Sequence, residues 1–437
     1  MTRRFSRMRI ALIASSLRLA GAEKQFVYVA RALRERGLDA RVYYLGPGEH
    51  YQAVLSEAGV PLRQMFRRGQ PLRMLIGLSR ALFRFKPHVV LASQFGDLIF
   101  AGPAGRLVNA LVLGGVRSDG FYELRTAGRR GRFLLGLAHG LIANSHRAKE
   151  NLISRGIRGS KIAVLPNALD VVEFDRNAAF VVHALECPDA PDTLKGGPPT
   201  ETCWVTAVGT LQQCKRFDRF LEALALARRR EPAIFGILAG KDLGARPALE
   251  RKAKALGLLP GHMAFIGECD RIPALLSRSR LLVLSSDYEG FPNVILEAMA
   301  AHLPVVTTPA GDAARIVEDG STGFVVQTED VQPMADCIVK LVQDSQLNAQ
   351  MGQAGRRRVE RDYGFSSLAE RVLPIIGAFA RQHRKDAVFN LLERSAGLRP
   401  GAIRQSQDRA GSETGAPAAV TGNLGSRTSA GELFQTP

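Results

Sequence analysis

The feature that most constrains this chain is an alternation, met twice over, of short apolar runs with segments of helical period. Met8–Ser15 is apolar and leads to a glycine-containing turn at Leu19-Ala20-Gly21. From Ala22 to Arg36 the apolar residues Phe26, Val29, Ala30 and Leu33 share one helical face, and Gly37 stops the segment. Ala40–Leu45 is the next apolar run, and Gly46-Pro47-Gly48 turns it. A strand, a helix and a second strand make a βαβ unit, which places the two strands parallel in one sheet. The alternation continues with helix Pro71–Phe85, strand His88–Ala92, helix Leu98–Asn109, strand Ala110–Gly114, a helix near Arg132–Ala138, strand Leu141–Asn144, a helix to Arg155 and strand Ile162–Leu165. Asn177–Glu201 breaks the pattern with Pro188, Pro191, Gly196, Gly197, Pro198 and Pro199, and reads as a linker or insertion. A second series then starts at Cys203–Val208 and runs through Phe217–Arg230, Ile234–Ala239, Arg246–Leu256, Met263–Ile266, Ile272–Ser277, Leu281–Ser285, Asn293–Ala301, Pro304–Thr307, Thr322–Val326 and Val331–Gln343. The expected fold is α/β, with two doubly wound domains at 8–175 and 202–365 and a linker at 176–201. A helix at 366–385 would cross back to the first domain, and a tail at 395–437, poor in apolar residues, would be disordered.

Charge and composition narrow the class. Residues 1–160 carry 27 Lys and Arg against 9 Asp and Glu, so the whole formal charge of +18 belongs to the first part of the chain. Its clusters are Arg3, Arg4, Arg7 and Arg9; Arg63, Arg67, Arg68 and Arg73; and Arg125, Arg129, Arg130 and Arg132. Such a field suits a polyanion, an anionic membrane surface among them, and it is equally what an arginine-rich solvated surface looks like. No helix-turn-helix, RNA-binding aromatic motif or zinc finger accompanies it, so no nucleic-acid partner is expected. The five cysteines are odd in number and none are at C-x-x-C spacing, and no histidine pair has ligand spacing, so neither disulfides nor a metal is expected. No apolar run approaches the roughly 18 residues of a membrane span, and the run after the basic start is too short for a secretory leader. The expected location is cytoplasmic, peripheral on the inner face of the membrane where the basic domain meets it.

The chemistry concentrates in Ser285-Ser286-Asp287-Tyr288-Glu289-Gly290-Phe291-Pro292-Asn293-Val294-Ile295-Leu296-Glu297. A buried strand ends at Ser286, a loop carries Glu289 and a glycine, and a helix follows Pro292. Open α/β sheets bind ligands beyond the carboxyl ends of their strands. The free backbone N–H groups of residues 290–294 at this helix start suit a diphosphate. Glu289 and Glu297, eight residues apart, would accept hydrogen bonds from hydroxyls on either side of it. Glu289 as a helix-start charge and Glu297 as a solvated helix residue are the plainer alternatives.

This segment resembles the Glu-x7-Glu signature of the retaining GT-B glycosyltransferases of family 4. The resemblance spans about residues 8–380. It implies the GT-B architecture: two Rossmann-like domains facing an interdomain cleft, with a nucleotide-diphosphate sugar held by the second domain. It implies an acceptor met by the first domain, and a donor-binding set of Gly21, Thr210, Gly290, Phe291, Pro292, Asn293, Val294 and Glu297, with no cofactor and no metal. Val208-Gly209-Thr210-Leu211-Gln212-Gln213-Cys214-Lys215 is similar to the family's Gly-Arg-Leu-x3-Lys strand–loop, which makes Lys215 the cation that stabilises the leaving diphosphate; Thr210 stands where an Arg is usual. Leu19-Ala20-Gly21-Ala22-Glu23 resembles its Gly-Gly-Ala-Glu turn, with Gly21 letting the backbone approach a ligand. Thr308-Pro309-Ala310-Gly311-Asp312-Ala313 resembles its donor-facing Gly-Gly loop, in which Asp312 would touch a sugar hydroxyl or cap the helix that follows it. Pro166-Asn167-Ala168-Leu169-Asp170 resembles the turn that ends the first domain. Where many relatives have a first-domain His, this chain has Ser93-Gln94-Phe95-Gly96-Asp97. Asp97 is therefore the candidate catalytic group there, beside Glu289 and Lys215, with Gln94 and the cluster Arg117, Ser118 and Asp119 as further polar candidates. The implied reaction is sugar transfer with retention to a lipid-linked or polysaccharide acceptor in cell-surface glycan biosynthesis. A catalytically inactive sugar-nucleotide-binding protein and a nucleotide-sugar epimerase of the same fold remain alternatives.

Overall fold

The apolar runs become fully buried parallel strands because helices cover both faces of each sheet, so almost every strand side chain meets an apolar neighbour. The computed structural model describes residues 8–18, 20–46, 50–65, 69–179 and 202–396, without the side chains of 122–129 and 394–396. In the first domain, chain order is β1 (Arg9–Ala14), α1 (Gly21–Glu35), β2 (Asp39–Tyr44), α2 (Tyr51–Glu57), β3 (Leu62–Gln64), α3 (Pro71–Phe85), β4 (Val89–Ala92), α4 (Leu98–Leu107), β5 (Leu111–Val116), α5 (Phe121–Leu137), β6 (Gly140–Ala143), α6 (His146–Ser154) and β7 (Ile162–Val164). The strands form one parallel sheet in the order β3-β2-β1-β4-β5-β6-β7. Alternation sorts the strand residues between two cores. Ile10, Leu12, Val89 and Leu91 pack under α1, whereas Ala11, Ile13, Val90 and Val112 pack under α3 and α4.

The second domain runs α7 (Val171–Ala179), β8 (Cys203–Val208), α8 (Phe217–Arg230), β9 (Ile234–Ala239), α9 (Arg246–Ala255), β10 (Met263–Gly267), α10 (Ile272–Ser277), β11 (Leu281–Leu284), α11 (Asn293–Ala300), β12 (Val305–Thr307), α12 (Ala313–Ile316), β13 (Gly323–Val325), α13 (Gln332–Gln343) and α14 (Ser345–Arg358). Its parallel order is β10-β9-β8-β11-β12-β13. Helices α15 (Leu368–Gln382) and α16 (Asp386–Ala396) close the described chain. Two parallel sheets with helices on both faces form the GT-B fold of paired Rossmann-like domains. Each sheet reverses its winding once, between β1 and β4 and between β8 and β11, and a crevice opens at the carboxyl ends of those strand pairs.

The chain crosses between domains twice. Helix α7 packs on α10 and α11, and its Phe174 is buried with Leu284 and Phe291, so this helix, across the expected boundary at 175, belongs with the second domain. Helix α15 lies on α1, with Val372, Leu373 and Ile376 in the core of Phe26 and Leu33. The crossings run side by side: Leu169 N donates to Tyr363 O at 2.9 Å and Phe365 N to Leu169 O at 2.9 Å.

Several elements differ from the sequence reading. Helix α5 begins at Phe121 rather than near Arg132, because Gly128, Gly131 and its arginines hide the apolar period. Helix α2 and edge strand β3 were not apparent, β3 being short with polar Arg63 and Gln64. Cys203, Cys214 and Cys337 are free thiols, whereas Cys269 is disulfide-bonded, against the expectation. The expected tail and most of the linker lie outside the described residues. No helix among the described residues is long and apolar enough to cross a membrane.

Candidate active site

The second domain builds its half of the crevice from two loops tied to each other. After β11, Ser285 and Ser286 are buried, and after β8 a short turn at Gln213–Lys215 brings a lysine to the same strand end. Ser285 Oγ donates to Lys215 O at 2.9 Å, and Asp287 N to Cys214 O at 2.9 Å. Lys215 Nζ lies 2.7 and 2.8 Å from the two carboxylate oxygens of Glu289, and Ser286 Oγ donates to the same carboxylate at 2.7 Å. Behind this, Arg219 is buried and reaches Asp287 at 2.9 Å, while Arg216 reaches the other oxygen of Asp287 at 3.0 Å. These two guanidiniums hold the loop, which leaves Lys215 as the cation beside Glu289. Thr210, half-buried in the same strand–loop, adds no charge. The strut of Arg216, Arg219 and Asp287 was not apparent in the sequence, since its members lie about 70 residues apart.

Helix α11 starts after Pro292, and Ile295 N is its first amide to find a backbone acceptor. The N–H groups of Gly290, Phe291, Asn293 and Val294 donate to no acceptor among the described residues. Phe291 turns its ring into the core, 5.9 Å from the Tyr363 ring, and so anchors the loop instead of lining the crevice. Pro292 is buried beside it. One turn on, the Glu297 carboxylate has no hydrogen-bond partner among the described residues. Burial pushes its pKa up, and Lys24 across the cleft pulls it back down. Glu297 lines a cavity of about 240 Å³ with Gly21, Lys24, Gln25, Tyr51 and Asn293. Glu289 faces a second cavity, of about 230 Å³, with Asp119, Phe121, Arg147, Tyr288 and Asp312. The two glutamates thus open on different sides of the loop 290–293.

The first domain closes on this loop. A Cβ on Gly21 would sit 3.2 Å from Asn293 Nδ2, and one on Gly290 would sit 3.1 Å from Ser118 O. Only glycine admits those approaches without a shift. Asn167 Nδ2 donates to Asn293 Oδ1 at 2.8 Å. The buried Asp312 carboxylate accepts from His146 N at 2.7 Å and Arg147 N at 3.0 Å, the first two amides of α6. The expected cap on the helix that follows Asp312 is not made; its carboxylate caps α6 of the opposite domain instead.

Asp97 lies in neither cavity. It is 2% exposed, accepts from Gln94 N at 3.0 Å and bonds Ser15, and burial pushes its pKa up to about 7. Its geometry is that of a turn-holding carboxyl behind the crevice wall. Gln94 is reached in turn by Glu23, which accepts from Ser16 Oγ at 2.8 Å and from Gln94 Nε2 at 3.5 Å. Among the described residues the Arg117 guanidinium hydrogen-bonds only to Ser93 O, at 3.4 Å, and burial lowers its pKa to about 10. No group of three or more His, Cys, Asp or Glu with metal-holding geometry occurs among the described residues.

Comparison with known proteins bears on the fold and on the class of enzyme. Residues 195–358 match the family model "Glycosyl transferases group 1", and residues 19–173 match "Glycosyltransferase Family 4". The lipopolysaccharide core biosynthesis glycosyltransferase LpsE of Rhizobium meliloti is 26% identical over 85% of this chain and 95% of its own length. The alpha-D-kanosaminyltransferase of Streptomyces kanamyceticus is 31% identical over 39% of this chain, a match that spans 44% of that relative. Among solved structures, Anabaena HepE in complex with UDP superposes with a TM-score of 0.70 at 20% identity, over 85% of this chain and 100% of that one. These matches support a glycosyltransferase of the GT-B fold.

Proposed function

Taking the two glycosyltransferase family matches as premise, we propose that this chain transfers a sugar from a nucleotide-diphosphate donor to a lipid-linked or polysaccharide acceptor of the cell surface, with retention of configuration. The observation that carries the reading is the row of unengaged amides at 290–294, set between Glu289 with Lys215 on one side and Glu297 on the other. A diphosphate on those amides meets the positive end of α11. Glu297, which no donor among the described residues engages, takes the ribose hydroxyls, and Lys24 in the same cavity adds a first-domain cation where Thr210 supplies none. The sugar then lies toward Glu289 and the cavity of Tyr288 and Asp119.

In this mechanism the bond between the sugar and the phosphate breaks with negative charge growing on the leaving phosphate. Lys215 and the amides of residues 290–294 stabilise that charge more in the transition state than in the ground state. The acceptor hydroxyl enters on the same face and passes its proton to the departing phosphate oxygen, so the reading requires neither a strong protein base nor a metal. LpsE acts in lipopolysaccharide core biosynthesis, and its likeness over most of both chains favours an acceptor of that kind.

A panel of UDP, GDP and ADP and their sugars in a thermal-shift assay tests the donor half. One base series should raise Tm progressively, with the logarithm of ligand concentration above Kd, and Glu297→Gln should remove most of that rise. No shift with any nucleotide refutes the reading. Release of nucleoside diphosphate only when an acceptor is present separates transfer from epimerisation and from binding without turnover.

A further inference from the structure

Helix α3 has an unusual outer side. Its buried face is Met74, Leu78, Ala81, Leu82 and Phe85. On the opposite side Leu72 (68%), Ile76 (42%) and Phe83 (70%) are exposed, and at about 100° per residue they fall within roughly 40° of one another. Arg80, Arg73 and Arg84 form the adjoining stripe. An amphipathic helix ordinarily turns charge to solvent; this one turns an apolar ridge to solvent and flanks it with guanidiniums.

The ridge does not stand alone. Helix α4 packs between α3 and α5 on the same face of the sheet, and it exposes Ile99 and Leu107, while α5 exposes Phe133. The other face, under α1, α2 and α15, exposes no large apolar side chain among the described residues. The charge is as one-sided. From residue 58 to residue 149 the chain carries 15 Lys and Arg against three Asp and Glu, and one of the three is the buried Asp97. Arg73, Arg80, Arg84, Lys86, Arg106 and Arg132 form no ion pair with any carboxylate among the described residues.

We infer that the outer face of α3, α4 and α5 docks on a lipid bilayer bearing anionic headgroups, with Leu72, Ile76, Phe83 and Phe133 entering the headgroup region and the arginines pairing with phosphates. A nucleic acid would explain the arginines but not the apolar ridge between them. A second copy of this chain would bring arginine against arginine. An anionic bilayer satisfies both features at once, since apolar side chains seek the acyl boundary and guanidiniums the phosphate layer. None of Leu72, Ile76, Phe83 and Phe133 lines either cavity, so failure of this inference would leave the donor reading untouched.

Co-sedimentation of the full chain with phosphatidylcholine vesicles, with and without phosphatidylglycerol, tests the inference. Binding should be at least about tenfold stronger to the anionic vesicles and should fall as salt is raised. L72S/I76S/F83S should weaken it about tenfold or more, F133S should weaken it independently, and R73Q/R80Q/R84Q should remove the preference for anionic lipid at about fivefold per residue. L243S, at an exposed leucine of the second domain, should have no effect. Equal binding by wild type and the two apolar variants overturns the inference, as does no vesicle binding at low salt. A dimer that L72S/I76S/F83S converts to monomer overturns it in favour of a second copy, and retention of duplex RNA in preference to vesicles overturns it in favour of nucleic acid.

Discussion

Replacing Lys215 with methionine keeps the length of the side chain and removes one charge at the point where the proposed chemistry needs it. In the structure Nζ serves both oxygens of Glu289, at 2.7 and 2.8 Å, and the side chains are only 19% and 10% exposed. Two costs follow, and they are separable. Breaking one partner of a fully buried pair costs about 3–5 kcal/mol. Here water reaches the site and Ser286 still donates to Glu289, so about 2 kcal/mol is expected, a fall in Tm of roughly 4–8 °C for a domain of this size. The catalytic cost is larger: loss of one preorganised charged donor to a developing anion lowers kcat by about 10²–10³. The double variant Lys215→Met/Glu289→Gln distinguishes them, because pairing two neutral groups restores most of the stability and none of the rate. The assay is nucleoside diphosphate release with the donor chosen by thermal shift, alongside urea unfolding of each variant. A Lys215→Met enzyme within about threefold of wild-type kcat, or a double variant that recovers rate along with stability, would refute the role of this lysine at the leaving group.

Glu297→Gln removes a carboxylate that has no hydrogen-bond partner among the described residues, so donor Kd should rise about tenfold with kcat little changed; an unchanged Kd by calorimetry excludes the ribose contact. Gly290→Val places a branched side chain against the Ser118 carbonyl, so it should block domain closure and lower kcat/KM with little loss of Tm; the same donor-induced compaction in small-angle scattering as wild type, together with wild-type kcat/KM, would contradict that. Asp97→Asn bears on pH. Burial raises the folded pKa from 3.8 to about 7, so the protonated carboxyl favours the fold below about pH 4, and that advantage, about 4 kcal/mol, drains away as pH climbs to about 7. The variant should lose this slope in urea unfolding between pH 4 and 7, and an identical slope would show that Asp97 is not the titrating group.

The strand, loop and helix of the second domain's half of the candidate site were legible because their signals are local. A buried strand, a loop with Glu289 and Gly290 and a helix after Pro292 are consecutive, and strand–loop–helix geometry follows from neighbours in sequence. The first-domain half was not. Asp97 has the polarity of a catalytic group, and only the packed structure shows it facing Ser15 and Gln94 from behind. Glu23 sits in the first turn of α1, where a carboxylate is commonplace, and its bonds to Ser16 and Gln94 depend on β1 and β4 being neighbours. Asp312 stands where a donor-facing residue was expected, yet its partners are amides 165 and 166 positions earlier in the chain. In each case residue type was readable, whereas direction came from contacts between distant segments.

The manner of closure bears on when the donor enters. Across the cleft the domains meet through Asp312 on the α6 amides, Asn167 on Asn293, a 3.6 Å pair of Arg315 with Glu150, and glycine approaches at Gly21 and Gly290. The large apolar clusters stay within one domain, apart from the crossings that carry Leu169 and Phe174 to the second and α15 to the first. Net hydrogen bonds contribute about 0.5–1.5 kcal/mol each, somewhat more when a carboxylate takes part, so these contacts hold the closed form by a few kcal/mol at most. A donor at a thousand times its Kd stabilises the form it binds by about 4 kcal/mol, enough to decide the equilibrium if it touches both sides and so binds the closed form in preference. Gly21 and Lys24 from the first domain share a cavity with Asn293 and Glu297 from the second, so a nucleotide there touches both. Because the two chain crossings lie together at Leu169 and Gly364, the domains can swing about that edge while every strand stays intact. Closure is then set by the donor and not by the protein alone, and nucleotide should compact the chain before any acceptor arrives.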